Sequence, residues 1–490
     1  MSQPYQDLLQ LEPKPVWQFF SEICSFPHPS KHEEALAQHI IAFANAKGLS
    51  VVRDKVGNVI IKKPATVGME DRQTVALQAH IDMVPQKNDD TDHDFTKDPI
   101  RAYVDGEWVT ATGTTLGADN GIGMAACLAV LAADDIPHGP LEVLLTIDEE
   151  AGMTGAFGLE AGYLDATILL NTDSEQEGEI YMGCAGGIDA AFKLPIQRQS
   201  ATATQLQPVK LALKGLRGGH SGVDIHTGRG NANKLLARFL THSEIAAKLQ
   251  LVSISGGTLR NAIPREAYAT VLVSSQDRDA LQAAITDYLT TLNHELGAVE
   301  KNIQFSQTDV TCDEPAMTCD SQRTVLALMN SCINGVIRMS DDIPGVVETS
   351  LNMGVVTTAN DHVQMLCLVR SLIDSGRSDV VGMLNSLAHL AGAEVVFSGA
   401  YPGWKPDPES KVLHIFRDMY EQTYGEKPHI MVIHAGLECG LFKEPYPNMD
   451  MISFGPTIKF PHSPEEKVNI ASVGLFWQQL CGILAHIPRR

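Results

Sequence analysis

Residues 74–82 read TVALQAHID, an apolar run over Thr74–Ala79 that stops on His80 and Asp82. Side chains alternate along a strand, so His80 and Asp82 share one face at its end. The same grammar returns twice. Leu141–Ile147 runs into Asp148-Glu149-Glu150, and Ala166–Leu170 into Asn171-Thr172-Asp173. Between the first two runs, Gly121–Ala133 has helical periodicity and many small residues, with Gly117-Ala118-Asp119-Asn120 at its start. This alternation predicts an α/β domain with a mixed, partly parallel sheet covered by helices. Ligand sites in open α/β sheets collect at the carboxyl ends of strands. The His, Asp and Glu side chains that end these runs are therefore expected to converge.

Outward from this core, Trp17–Cys24 and Glu33–Lys47 read as helices, and Leu49–Arg53 and Val59–Lys62 as short strands. After Gly186 the character changes. Strand-like Val209–Lys214 leads into a glycine-rich loop and the helix-like Asn231–Lys248. Strands near Leu251–Ser255 and Ala267–Val273 follow, then a helix near Asp279–Leu296. Asn352–Ala359 and Val363–Arg370 read as a second strand pair, before helix-like Ser378–Leu390 and strand-like Ala393–Ser398. The expectation is an inserted α+β domain over residues 187–399, built as two related units in tandem. Residues 1–186 and 400–490 would form one discontinuous domain. A chain of 490 residues exceeds the roughly 250–300 at which single cores stop growing.

The charge balance, 37 Lys and Arg against 59 Asp and Glu, is −22. Such an acidic surface disfavours nucleic acid and anionic membranes as partners. Nine scattered cysteines without a CxxC pair read as reduced intracellular thiols. The opening MSQPYQDLLQLEPKP lacks a basic segment followed by an apolar one. No stretch approaches the ~20 apolar residues needed to span a bilayer. The expected location is the cytoplasm.

Carboxylates packed at strand ends repel and raise one another's pKa. Divalent cations remove that conflict. Two His and three Asp or Glu suit zinc, with cobalt or manganese as substitutes. Two such ions can share a carboxylate and a water, whose pKa falls to ~7. A carboxylate left free of metal can then take the water's proton and pass it to a leaving amine. Singly, each string is commonplace: HxD is usually surface polarity, DEE a solvated loop, NTD a cap or turn. Repetition of one chemical vocabulary at independent strand ends favours the joint reading.

Taken together, the strings resemble the M20 family of dinuclear zinc peptidases over nearly the whole chain. They are LQAHIDMV, TLGADNGIG, LLTIDEEAGMTGA, LLNTDSE, RGGHSGVDIHTGRGNAN, NAIPREA, HAGLECG and SFGPTIKFPHSPEE. The strings of the inserted domain, which the resemblance makes a lid over the catalytic domain, and of the C-terminus point to its dipeptidase branch. The resemblance implies that Asp119 bridges two Zn²⁺ (Co²⁺ or Mn²⁺ in their place), with His80 and Asp173 on one and Glu150 and His462 on the other. It implies Glu149 as general acid/base, Asp82 as the group orienting His80, and a cis peptide after Asp119. It also implies that His220, in Arg217-Gly-Gly-His-Ser-Gly222, stabilises the oxyanion; that loop lacks the Gly-Lys-Ser/Thr ending of a nucleotide-binding P-loop. Arg370 is the candidate clamp for a substrate carboxylate. Asn261, Gly436 and Glu438 are candidate substrate contacts, Glu438 at the amino end. The implied substrates are short Xaa-His dipeptides, carnosine-like ones included. In many members the lid forms a homodimer and the partner supplies the His; a duplicated lid could supply it within one chain. The alternatives are an aminoacylase or deacetylase with the same metals, and a non-catalytic metal-binding homologue.

Overall fold

The apolar runs become adjoining parallel strands. Val75–His80 lies between Leu141–Thr146 and Ile168–Asn171, parallel to both, and Asp450–Ser453 runs parallel beyond Ile168–Asn171. Every residue of the first three strands is buried, as expected of strands covered on both faces. Each fully buried Val or Leu there contributes ~1.5–3 kcal/mol. The eight-stranded sheet runs in the order Ser50–Arg53, Val59–Lys63, Leu141–Thr146, Val75–His80, Ile168–Asn171, Asp450–Ser453, Glu179–Cys184, His429–Ile433. Antiparallel pairing at Ser50–Arg53, Val59–Lys63 and Glu179–Cys184 makes it mixed. The structure, a computed structural model, describes residues 5–199 and 206–490. The first four residues of the N-terminal stretch read above, and 200–205 of the insertion, lie outside the described residues.

Helix Ala118–Ala132 is buried along almost its whole length. Its small residues allow close packing: a Cβ at Gly121 would stand 3.1 Å from the Phe20 ring of helix Lys14–Cys24. Gly117 takes a left-handed φ of 70°, and Asp119 and Asn120 keep non-helical backbone angles, so the regular helix begins at Gly121. A separate antiparallel sheet of Ala102–Asp105, Trp108–Ala111, Lys467–Asn469 and Ile458–Lys459 leads the chain into His462. Its strands of two to four residues are too short to show a period-two pattern.

By its internal contacts the chain divides into two units. One holds the residues up to Cys184 with Trp404–Val432 and Leu437–Arg490; the other holds Ala185–Gly403 with Ile433–Gly436. The second unit is built on one antiparallel sheet in the order Gln304–Asp309, Leu206–Lys214, Ala267–Ser274, Gln250–Gly256, Val347–Thr358, His362–Ser371, Gly186–Pro195, Glu394–Tyr401. Each half of it follows strand–helix–strand–strand–helix–strand, with one added strand, Gly335–Met339, pairing with Val347–Thr358 at the side of the second half. In one half the helices are Ala232–His242 and Arg278–Leu296; in the other they are Cys319–Ser331 and Asp374–Ala391. The halves meet where Gly256 pairs with Val356. Along the chain they are nested, not end to end: one half lies between the first strand, Gly186–Pro195, and the first helix, Cys319–Ser331, of the other. Pairing of Arg198–Gln199 with Ala316–Met317 closes the stem of that insertion. Among the described residues no helix is long and apolar enough to cross a membrane.

Candidate metal centre

Asp119 presents its two carboxylate oxygens to two different histidines. Oδ1 lies 3.3 Å from His80 Nε2 and Oδ2 lies 3.3 Å from His462 Nε2. Each histidine faces one further carboxylate: Asp173 Oδ1 is 3.2 Å from His80 Nε2, and Glu150 Oε1 is 3.0 Å from His462 Nε2. The result is two groups, His80–Asp119–Asp173 and Asp119–Glu150–His462, that share one member. His80 Nδ1–H donates to the Asp82 backbone carbonyl at 2.9 Å, which turns Nε2 into the cluster, the nitrogen that would lose its proton to serve as a metal ligand. The Asp119–Asn120 peptide is cis.

Without ions the charges conflict. Burial pushes the Asp173 carboxyl up to about 6 and Glu150 up to about 7, with Asp119 adding repulsion to both. Burial also drives Glu149 well above the ordinary carboxyl range, against the pull of His80 and with Asp173, Glu150 and Glu438 adding to the rise. Asp119 goes the other way. Burial opposes its charge, but hydrogen bonds from His462 and His80 hold it well below the usual range. Five nitrogen and oxygen donors crowded this way suit two divalent cations of the zinc, cobalt or manganese type.

Asp82 acts mainly through the neighbouring loop. Its carboxylate is 3.5 Å from His80 Nδ1; the closer partner of that nitrogen is the Asp82 backbone. The carboxylate instead accepts the N–H of Glu149 at 2.9 Å, the N–H of Glu150 at 3.1 Å and the Ser30 hydroxyl at 2.7 Å. It thereby fixes the start of the short helix Glu149–Gly152, and with it Glu149 and Glu150 together.

Glu438 is fully buried. Its Oε2 accepts from Gln78 Nε2 at 2.6 Å and Thr146 Oγ1 at 2.8 Å. The structure places it beneath the cluster rather than at an open face, and burial raises its carboxyl to about 8. Gln78 passes the network on to Asn171, which accepts from Ser453 and from the N–H of Asp173. These supporting residues went unassigned in the sequence, although Gln78, alone polar within Val75–Ala79, is a signal that could have marked them.

In the second unit His220, Arg370 and Asn261 lie on neighbouring strands and turns. The N–H groups of Gly222 and Val223 donate to His220 Nδ1 at 3.2 and 3.0 Å, so its proton sits on Nε2. Burial lowers its pKa to about 4, with Arg370 adding to the fall; the ring is a neutral donor. The Arg370 guanidinium comes 3.3 Å from that same Nε2, contacts Ser221 and Tyr401, and is buried. Among the described residues no carboxylate pairs with it. The Asn261 backbone carbonyl accepts from Ser221 N–H. Gly436 falls in the short segment Ile433–Gly436, beside His434, whose Nε2 meets Ser350 Oγ at 2.8 Å.

The model of peptidase family M20/M25/M40 matches residues 76–482. The chain belongs to this family of peptidases. Its sequence is 57% identical to the cytosol non-specific dipeptidase of Escherichia coli (strain K12) over 484 residues, 99% of this chain and 100% of that protein. Among solved structures, the aminoacylhistidine dipeptidase of Vibrio alginolyticus matches with a TM-score of 0.91 and 63% identity over 99% of both chains. The aminopeptidase PepT of Bacillus cereus ATCC 10987 shares the fold at 16% identity and a TM-score of 0.58, over 97% of this chain and 99% of that one.

Proposed function

We propose that this chain is a cytoplasmic, metal-dependent dipeptidase. The observation that carries the reading is the single carboxylate, Asp119, set between two histidines that each face another acid, with Glu149 beside them. His80, Asp119 and Asp173 would hold one cation; Asp119, Glu150 and His462 the other. Bound there, two divalent ions would acidify a water and polarise the scissile carbonyl. Glu149, a carboxyl outside both groups of candidate ligands, would take a proton from that water and pass it to the leaving amine. Asp82 keeps Glu149 and Glu150 in register by holding their backbone N–H groups. The dipeptide names of the relatives at 57% and 63% identity support the substrate class.

The second unit is read as the lid. His220 Nε2–H and the Arg370 guanidinium stand 3.3 Å apart, and among the described residues no carboxylate pairs with the guanidinium, which makes the place a natural seat for anionic oxygen. His220 is assigned to the oxyanion, and Arg370, with Asn261, to the C-terminal end of the dipeptide. Replacing Arg370 by Ala is expected to raise KM about 10- to 100-fold, since a hydrogen bond to a charged group is worth about 1.5–3 kcal/mol; steady-state kinetics on a dipeptide measure it. Replacing His220 by Ala should lower kcat about 10²–10³-fold while zinc content holds. With its pKa near 4, His220 stays neutral above pH 5, so activity between pH 5 and 8 should not follow its titration.

The finer reading is a preference for Xaa-His dipeptides, including β-alanyl-histidine. A panel of dipeptides that differ only in the second residue tests it. Higher kcat/KM for the histidine members is expected; equal values across the panel would leave a general dipeptidase.

A further inference from the structure

We infer that Glu466, four residues beyond His462, is a positioning residue that locks the two arms of the metal centre together; the inference rests on the dinuclear reading above. Its side chain is buried at 2% exposure. Its carboxylate accepts four consecutive backbone N–H groups: Oε2 takes Leu116 at 2.7 Å and Gly117 at 3.0 Å, and Oε1 takes Ala118 at 2.8 Å and Asp119 at 3.2 Å. The left-handed φ of Gly117 turns these donors toward one point, the geometry of an anion-binding nest. Here the anion is a side chain of the chain itself.

The far end of Glu466 is equally fixed. Its N–H donates to the Ser463 carbonyl at 3.0 Å, closing the turn that follows His462, and its carbonyl accepts from Thr110 Oγ1 at 2.8 Å. One residue thus joins the loop that ends in Asp119 to the turn that carries His462. Asp119 Oδ2 and His462 Nε2 stand 3.3 Å apart across that join. Hydrogen bonds to a carboxylate are about twice as strong as neutral ones. No neutral side chain of this length accepts four.

Glu466→Gln keeps the shape but turns one accepting oxygen into a donor that opposes two backbone N–H groups. Chelator-stripped variant and wild type are titrated with zinc against a chromophoric competitor. The expected result is two zinc ions bound by wild type and about 10–100-fold weaker binding by the variant, the loss typical when groups behind metal ligands are removed. Turnover should recover at saturating zinc with KM unchanged. A variant that melts at lower temperature but binds zinc as tightly as wild type would overturn the inference and leave the dinuclear reading standing. Wild type that binds fewer than two ions would overturn both. Hydrogen exchange on metal-free wild type needs no variant. Protection of the amides at 116–119 before zinc is added supports the clamp; protection acquired only with zinc overturns it.

Discussion

Glu149→Ala is expected to retain two metal ions and to lose turnover by about 10²–10⁴-fold, the usual contribution of a positioned general acid/base. Glu149 lies beside both His80 and Glu150, yet the two shared-carboxylate groups are complete without it. Its carboxyl is raised chiefly by burial, so it binds a proton readily. Truncation removes one buried carboxyl from a region with too many, so the variant should fold, and because both groups of candidate ligands stay complete it should still hold two ions. Single-turnover kinetics with metal analysis on one preparation measure both quantities. Because Asp82 grips the backbone of residues 149 and 150, not the side chain of Glu149, Glu150 should stay in place. Unchanged turnover would remove Glu149 from the mechanism.

Asp119→Ala is expected to do the opposite and empty the centre. Asp119 belongs to both groups, so each falls from three members to two. The loss of metal affinity should exceed the ~10–100-fold typical of groups behind the ligands, with activity lost in parallel. The metal-free protein should still fold. Asp119 attracts His80 and His462, but it also repels Glu150, Asp173, Glu175 and Glu466. Removing it trades attraction for relief. Zinc titration and thermal unfolding in chelator separate these effects. A variant that binds two ions like wild type would show that Asp119 does not bridge them.

The central sheet was legible because its strands are buried apolar runs that lead into acids or histidine. Val75–His80, Leu141–Thr146 and Ile168–Asn171 announce both their burial and their active ends. The helix Arg278–Leu296 and the strand pair Val347–Thr358 and His362–Ser371 stood out for another reason, as long elements with a regular period. Short elements did not. Trp108–Ala111 and Lys467–Asn469 make sense only when paired across more than 350 positions. The nesting of the lid's halves was likewise hidden, because order along the chain does not reveal which strands adjoin. Within the site, residue type marked the charged groups at strand ends, but not what holds them. Glu438 reads as a contact to the substrate's amino end until its burial against Gln78 and Thr146 is seen. Glu466 reads as half of an acidic pair until its carboxylate is found under four backbone N–H groups. Such roles come from backbone direction, which side-chain spelling does not encode.

The most direct test is a zinc titration of chelator-stripped wild type, with bound metal and dipeptide hydrolysis followed together. The account predicts a protein silent without metal, whose activity rises to its maximum as the second equivalent binds. Full turnover by the stripped protein, or a plateau reached with a single ion bound, would contradict it.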